Sequence, residues 1–206
     1  MKVLIINGSP RQNGNCSYIV KELEETLNKH DVEAIKYQLG SKNIRGCMAC
    51  GYCYSNGHCV FNDDVVELNK IFEEADGLIV ISPVYYGSPN GSIISLLDRM
   101  FYSKNFSVKY KVGAAFAVAR RAGTVASFDV LNKYFTISGM PLVSGDYWNN
   151  GFGREQGQIV EDKEGLRNAR IIAQRMVFLM KAIKDSKGNY PDLLEEEDRI
   201  FTHFIK

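Results

Sequence analysis

Cys47, Cys50, Cys53 and Cys59 fall within thirteen residues as C-x2-C-x2-C-x5-C, and the chain has one further cysteine, Cys16. Thiolates three residues apart on an irregular loop can turn toward a common centre, and Gly51 and Gly57 free the backbone to wrap it. Three ligands at two-residue gaps, with a fourth from the same loop, suit a [4Fe–4S] cubane held by four thiolates. Structural zinc more often splits its ligands into two knuckles a dozen or more residues apart. The motif alone also allows a zinc loop, a redox dithiol or a cysteine-rich loop with no metal.

Three further loops carry chemistry-bearing residues. Asn7–Ser17 joins a buried apolar run to an amphipathic one and is rich in hydroxyl and amide side chains (Ser9, Asn13, Asn15, Ser17), with Arg11, Gly8 and Gly14. It lacks G-x-G-x-x-G, so the dinucleotide fingerprint is absent. A hydroxyl-rich loop between strand and helix can instead wrap one phosphate dianion with backbone N–H groups and the helix N-terminus. The second loop, Ser82–Gly91, has two prolines and two glycines to fix its path. Tyr85 and Tyr86 offer it flat surfaces beside exposed amides, as a planar aromatic cofactor requires. The third, Arg120–Thr124, places two arginines at a helix start, where Arg120 would face an anionic cofactor or an electron donor. Together the three loops describe a site for flavin mononucleotide (FMN) better than any one of them.

These loops need a scaffold that brings them to one edge. Val3–Ile6, Val32–Tyr37, Leu78–Ile81, Val112–Ala119 and Met140–Ser144 read as strands, several of them apolar throughout as strands buried on both faces are. Helical spacing recurs over residues 16–29, 93–101, 124–137 and 166–183, and Asp63 and Asp64 open another helix with Glu67 in a capping-box arrangement. Five strands alternating with helices make an α/β fold with a doubly wound parallel sheet, for which 2-1-3-4-5 is a common strand order. The cysteine loop follows strand two, at the sheet edge. Residues 1–184 are expected to form the FMN-binding domain. Ser186, Lys187, Gly188, Asn189 and Pro191 break the last helix before a tail, residues 185–206, whose acidic run (Glu195–Asp198) is solvated. The tail's Phe201, Phe204 and Ile205 are expected to dock on this subunit or a neighbour.

A net charge of +1 supplies no field for nucleic acid or an anionic membrane, and no apolar run approaches the ~20 residues of a membrane span. Clustered rather than dispersed cysteines fit a reducing cytoplasm, and a strand begins too early for a signal peptide. His30, His58 and His203 form no catalytic constellation, and Asp98-Arg99 reads as a structural ion pair on an amphipathic helix.

Gly8-Ser-Pro-Arg11 with Gly14-Asn-Cys-Ser17, the compact cysteine motif followed by Asp63-Asp64, and Pro83-Val-Tyr-Tyr-Gly87 resemble the iron–sulfur flavoproteins. These belong to the flavodoxin-like, NADPH-dependent FMN reductase superfamily, and the resemblance runs from residue 1 to about residue 153. It implies that Ser9, Arg11, Asn13, Asn15, Cys16 and Ser17 hold the FMN phosphate. It implies too that Pro83, Val84, Tyr85, Tyr86 and Gly87 lie against the isoalloxazine, and that Cys47, Cys50, Cys53 and Cys59 bind a [4Fe–4S] cluster. A homodimer or homotetramer is implied, with the cluster of one subunit near the flavin of another. Arg120-Arg121-Ala-Gly123 departs from the family in having fewer glycines, which would alter the flavin edge or the donor site.

The expected function is electron transfer between cluster and FMN, with NAD(P)H or a ferredoxin as donor or acceptor. Two rivals stand beside it: a cluster-free NAD(P)H-dependent FMN or quinone reductase, and a non-enzymatic flavodoxin-like carrier. Carriers of that kind are usually acidic, which a charge of +1 disfavours.

Overall fold

The computed structural model describes residues 1–194, 197, 198, 200–202 and 204. The chain runs β1 (Lys2–Asn7), α1 (Asn15–Asn28), β2 (Glu33–Gln38), α2 (Tyr52–Asn56), α3 (Asp64–Glu74), β3 (Gly77–Tyr85) and β4 (Ser88–Pro89). It continues through α4 (Gly91–Ser103), β5 (Val112–Ala119), α5 (Thr124–Thr136), β6 (Asn150–Phe152) and α6 (Lys163–Asn189), with 3-10 turns at Gln158–Glu161 and Pro191–Leu194. Successive side chains of a strand leave on opposite faces, and in β1 and β3 both faces are apolar. Val3, Ile5, Ile79 and Ile81 enter one buried cluster with α1 and α6, while Leu4, Ile6, Leu78 and Val80 enter a second with α3, α4 and α5. Each such side chain contributes about 1.5–3 kcal/mol by leaving water, so these strands are driven to the centre of a sheet covered on both sides.

Strands β2-β1-β3-β5-β6 are parallel neighbours in that order. This is the flavodoxin-like doubly wound sheet that the alternation of elements predicts, with two differences in detail. The first is β4, which folds back antiparallel on Val84 and Tyr85. Its two-residue turn holds Tyr86 at φ 50 and Gly87 at φ 75, and positive φ at both central residues is the type I′ hairpin. A tyrosine in the left-handed region costs about 1–2 kcal/mol, and here it leaves the Tyr86 ring wholly exposed.

The second difference is the last strand, which is Asn150–Phe152 and not Met140–Ser144. Residues 141–143 make only an isolated bridge, Leu142 to Gly113. Residues 144–149 then loop out, pinned where Asn168 accepts from Asp146 N and donates to Tyr147 O and Trp148 O. The Asn149 side chain fills the gap in the ladder by donating to Ala115 O at 2.9 Å.

Two helix ends also depart from expectation. Asp63 caps α3 by accepting from Val65 N, while Glu67 pairs with Lys70 at 2.8 Å, so no capping box forms at Asp64. Helix α6 continues through Ser186, Lys187 and Gly188 to Asn189, past the expected break. Of the tail, Phe201 and Phe204 are exposed, whereas Glu195, Glu196, His203 and Ile205 lie outside the described residues. No helix among the described residues is long and apolar enough to cross a membrane.

Candidate functional site

Loops leaving β1, β3 and β5 meet at the carboxyl ends of the strands, where open α/β sheets bind ligands. The first loop is tied down by its own side chains. Asn7 Oδ1 accepts from Ser9 N at 3.0 Å, Ser9 Oγ accepts from Arg11 N at 3.1 Å, and Gln38 Nε2 donates to Ser9 O at 2.6 Å. Helix α1 then begins without a side-chain cap, its N-cap being Gly14. The first N–H groups of an α-helix have no partner within it, and they carry partial positive charge. This end of α1 is therefore suited to an anion.

Ser9, Arg11, Asn15, Cys16, Pro83, Val84, Tyr85 and Arg120 all line one cavity of about 200 Å³. The four other expected residues lie outside it. Asn13 is exposed, Ser17 Oγ donates to Gly14 O at 2.5 Å, and Tyr86 and Gly87 form the hairpin tip beyond the rim. Asn15 is in the wall, but its amide donates to Gly153 O at 2.8 Å and Glu155 O at 3.0 Å, so it braces the cavity. Cys16 is buried, and burial pushes its thiol up to about 12 against the pull of a Ser9 hydrogen bond. It is an uncharged wall residue. The wall also takes in Val118, Ala119, Gly153 and Arg154, which the sequence reading missed. Gly153 and Arg154 follow the short β6, and no local pattern marked that strand. With Arg11 and Arg120, Arg154 makes three guanidinium groups around the cavity.

The third loop packs on the hairpin. Gly123 has φ +87, and a Cβ there would stand 2.8 Å from Gly87 Cα. The single glycine of Arg120–Thr124 sits where backbone meets backbone.

Cys47, Cys50, Cys53 and Cys59 are free thiols on the segment between β2 and α3, and all four line a second cavity of about 320 Å³. Gly51 and Gly57 flank α2 with φ +73 and +70, supplying the left-handed corners expected of them. Met48, Val60, Phe61 and Tyr102 give the cavity an apolar wall, and its one charged lining residue among the described residues is Arg99. His58 turns aside, with Nδ1 against Cys59 O and its ring edge-on to Tyr52. The donors are thus all sulfur, a set that selects soft metals and iron–sulfur clusters. Among the described residues no three His, Cys, Asp or Glu side chains are grouped closely enough to hold one metal ion. The thiols stand around the wall instead.

Arg99 is the residue of this cavity that the sequence reading misplaced. It does not pair with Asp98, whose Oδ1 accepts from Tyr134 OH at 2.5 Å. It is buried behind the cysteine cavity, forked onto Asp63 at 2.7 and 2.8 Å, with Nε and Nη2 on Cys59 Sγ at 3.3 and 3.2 Å. Phe61 lies against its face, 5.0 Å from ring centroid to guanidinium carbon. Burial opposes the charge, but the hydrogen bonds to Asp63 and Cys59 outweigh it and hold the guanidinium firmly protonated.

Comparison with known proteins shows the family. Residues 1–155 match the family described as NADPH-dependent FMN reductase. An iron–sulfur flavoprotein of Methanocaldococcus jannaschii is 34% identical over 193 residues, which cover 89% of this chain and 100% of that relative. One of Methanosarcina thermophila is 31% identical over 192 residues, covering 91% of this chain and 99% of that one. Among solved structures, the NAD(P)H:quinone oxidoreductase of Methanothermobacter marburgensis superposes with a TM-score of 0.65. It covers 85% of this chain and 96% of its own, at 16% identity, a likeness of fold. The chain belongs to the NADPH-dependent FMN reductase family of flavin-dependent oxidoreductases and, within it, to the iron–sulfur flavoproteins.

Proposed function

We propose that the chain holds FMN in the cavity between the β1, β3 and β5 loops and a [4Fe–4S] cluster in the cysteine cavity, and that it passes electrons between them. The observation that carries this reading is that Cys47, Cys50, Cys53 and Cys59 all line one cavity. A zinc ion bound at ~2.3 Å would draw its sulfurs to within about 3.8 Å of one another. A cubane presents separate iron corners, so thiols spread around a wall fit it better. When bound, the flavin takes up one or two electrons and the cluster one, and the protein supplies position and potential.

Each loop then has a task. The uncapped end of α1, Ser9 Oγ and the Arg11 guanidinium bind and orient the phosphate, and Cys16 and Val118 exclude water beneath it. Pro83, Val84 and Tyr85 form the wall for the ring edge, with Arg120 and Arg154 holding positive potential at the rim for an anionic cofactor edge or for NAD(P)H. At about 200 Å³ this cavity is below the roughly 300–1,000 Å³ of a complete small-molecule site. It suits phosphate and ribityl chain, leaving the ring to the rim and to a neighbouring subunit. Exposed apolar side chains border both cavities (Met48, Tyr54 and Val60 at one, Tyr85 and Tyr86 at the other). Cys47 and Cys50 are exposed as well. A homodimer or homotetramer closing over these loops would cover them, with NAD(P)H or a ferredoxin as the outside redox partner.

The test is purification without oxygen, followed by iron, sulfide, zinc and FMN analysis of the wild type and of single Cys→Ala variants at 47, 50, 53 and 59. Four irons and four sulfides per chain, lost or altered in each variant while FMN stays, agree with the reading. FMN with stoichiometric zinc, or with no metal, would leave a cluster-free reductase instead.

A further inference from the structure

Arg99 sits in the middle of α4 with 1% of its side chain exposed, and all five of its N–H groups have acceptors. Nη1 donates to Asp63 Oδ2 and to Arg45 O, Nη2 to Asp63 Oδ1 and Cys59 Sγ, and Nε to Cys59 Sγ. A purely structural ion pair would be complete with the two-bond fork on Asp63. Here the second edge of the guanidinium is committed to one sulfur. Among the described residues, Cys47, Cys50 and Cys53 receive no such bond. Asp63, meanwhile, is held in place as the N-cap of α3, so carboxylate, guanidinium and thiol form one fixed line from a helix end to the cavity.

We infer that Arg99, clamped by Asp63, is a positioning residue that sets the reduction potential of the cluster through Cys59. The inference rests on the reading that the four cysteines hold that cluster. Reduction adds one electron to a group already made anionic by four thiolates, with no bond formed or broken. A guanidinium stays protonated at any working pH, so a permanent cation and two N–H donors face one ligand sulfur. Hydrogen bonds to sulfur and nearby net charge are among the factors that set iron–sulfur potentials, and both favour the reduced form here. Arg99 therefore raises the potential. It also makes the Cys59 corner unlike the other three.

The test uses full-length protein purified without oxygen as wild type, Arg99→Lys and Arg99→Met. Each is assayed for iron, sulfide and FMN, then titrated with dithionite while the reduced cluster is followed by electron paramagnetic resonance. Arg99→Met is expected to move the one-electron equilibrium at least tenfold toward the oxidised cluster, a fall of about 59 mV. Arg99→Lys, which keeps the charge without the fork, is expected between it and the wild type. Should Arg99→Met lose its FMN as a sign of misfolding, the lysine variant decides, with at least a threefold displacement expected. Variants that keep cluster and FMN and titrate within threefold of the wild type would overturn the assignment of Arg99. A wild type with FMN but no iron or sulfide would overturn the cluster reading itself, and the inference with it.

Discussion

The side-chain amide of Asn90 donates to the carbonyl oxygen of Gly8 at 2.8 Å, joining the loop after β3 to the loop after β1 across 82 residues of sequence. The same side chain caps α4 by accepting from Ser92 N at 2.9 Å, and its backbone N–H is held by Ser82 Oγ. One buried residue thus fixes the distance between the loop after β1 and the hairpin. Asn90→Asp keeps the cap acceptor and removes the donor, setting a carboxylate against Gly8 O. The protein is expected to fold, to melt a few degrees lower, and to bind FMN at least tenfold more weakly. Calorimetric titration checks this, and unchanged affinity would show that the tie is dispensable.

The same titration addresses the anion site. Charge-assisted hydrogen bonds contribute about 1.5–3 kcal/mol each, so FMN should bind at least tenfold more tightly than riboflavin. Arg11→Ala, with Ser9→Ala added, should remove most of that advantage while leaving riboflavin affinity nearly unchanged. Equal wild-type affinity for the two flavins would reject the α1 end as the phosphate site.

Gly123→Ala is expected to cost more than its size. The new methyl would meet Gly87 Cα at 2.8 Å, and the residue would be held at φ +87, so the loop after β5 must lift off the hairpin. Left-handed strain alone is about 1–2 kcal/mol. Thermal unfolding should show a clear loss of stability, and FMN affinity should fall with it. Gly188→Ala, in open space on α6, is the control and should be neutral or slightly stabilising.

Cys16 predicts a pH dependence. Its folded-state thiol is raised from 9.0 to about 12, so the unfolded chain releases this proton first. The stability it contributes is present below about pH 9 and is lost as pH rises toward 12. Denaturant unfolding at pH 7 and pH 10 should show a drop that Cys16→Ala lessens, after allowing for the variant's own lower stability. In native protein at pH 8, Cys16 should resist alkylation that unfolded protein undergoes.

The central strands and the site-bearing loops were legible because their signals are local. Val3–Ile6 and Leu78–Ile81 are apolar on both faces, and the hydroxyl-rich loop stands directly between a buried strand and a helix. The last strand was not legible, since Asn150–Phe152 has little strand character and its ladder is completed by the Asn149 side chain. Arg99 was hidden for a geometric reason. Adjacent residues on a helix do not face each other, so Asp98 turns to α5 while Arg99 turns inward to Asp63, a partner 36 positions away. Gly153 and Arg154 reach the cavity only through the sheet order, which no stretch of sequence near them encodes.

The most direct test of a chain carrying both cofactors is a count of electrons. Protein purified without oxygen is titrated with dithionite under anaerobic conditions while flavin and cluster absorption are recorded. About three electrons per chain are predicted, two for the flavin and one for the cluster, with the cluster signal lost in Cys53→Ala and the flavin signal kept. An end point at two electrons per chain, unchanged by Cys53→Ala, would contradict the account.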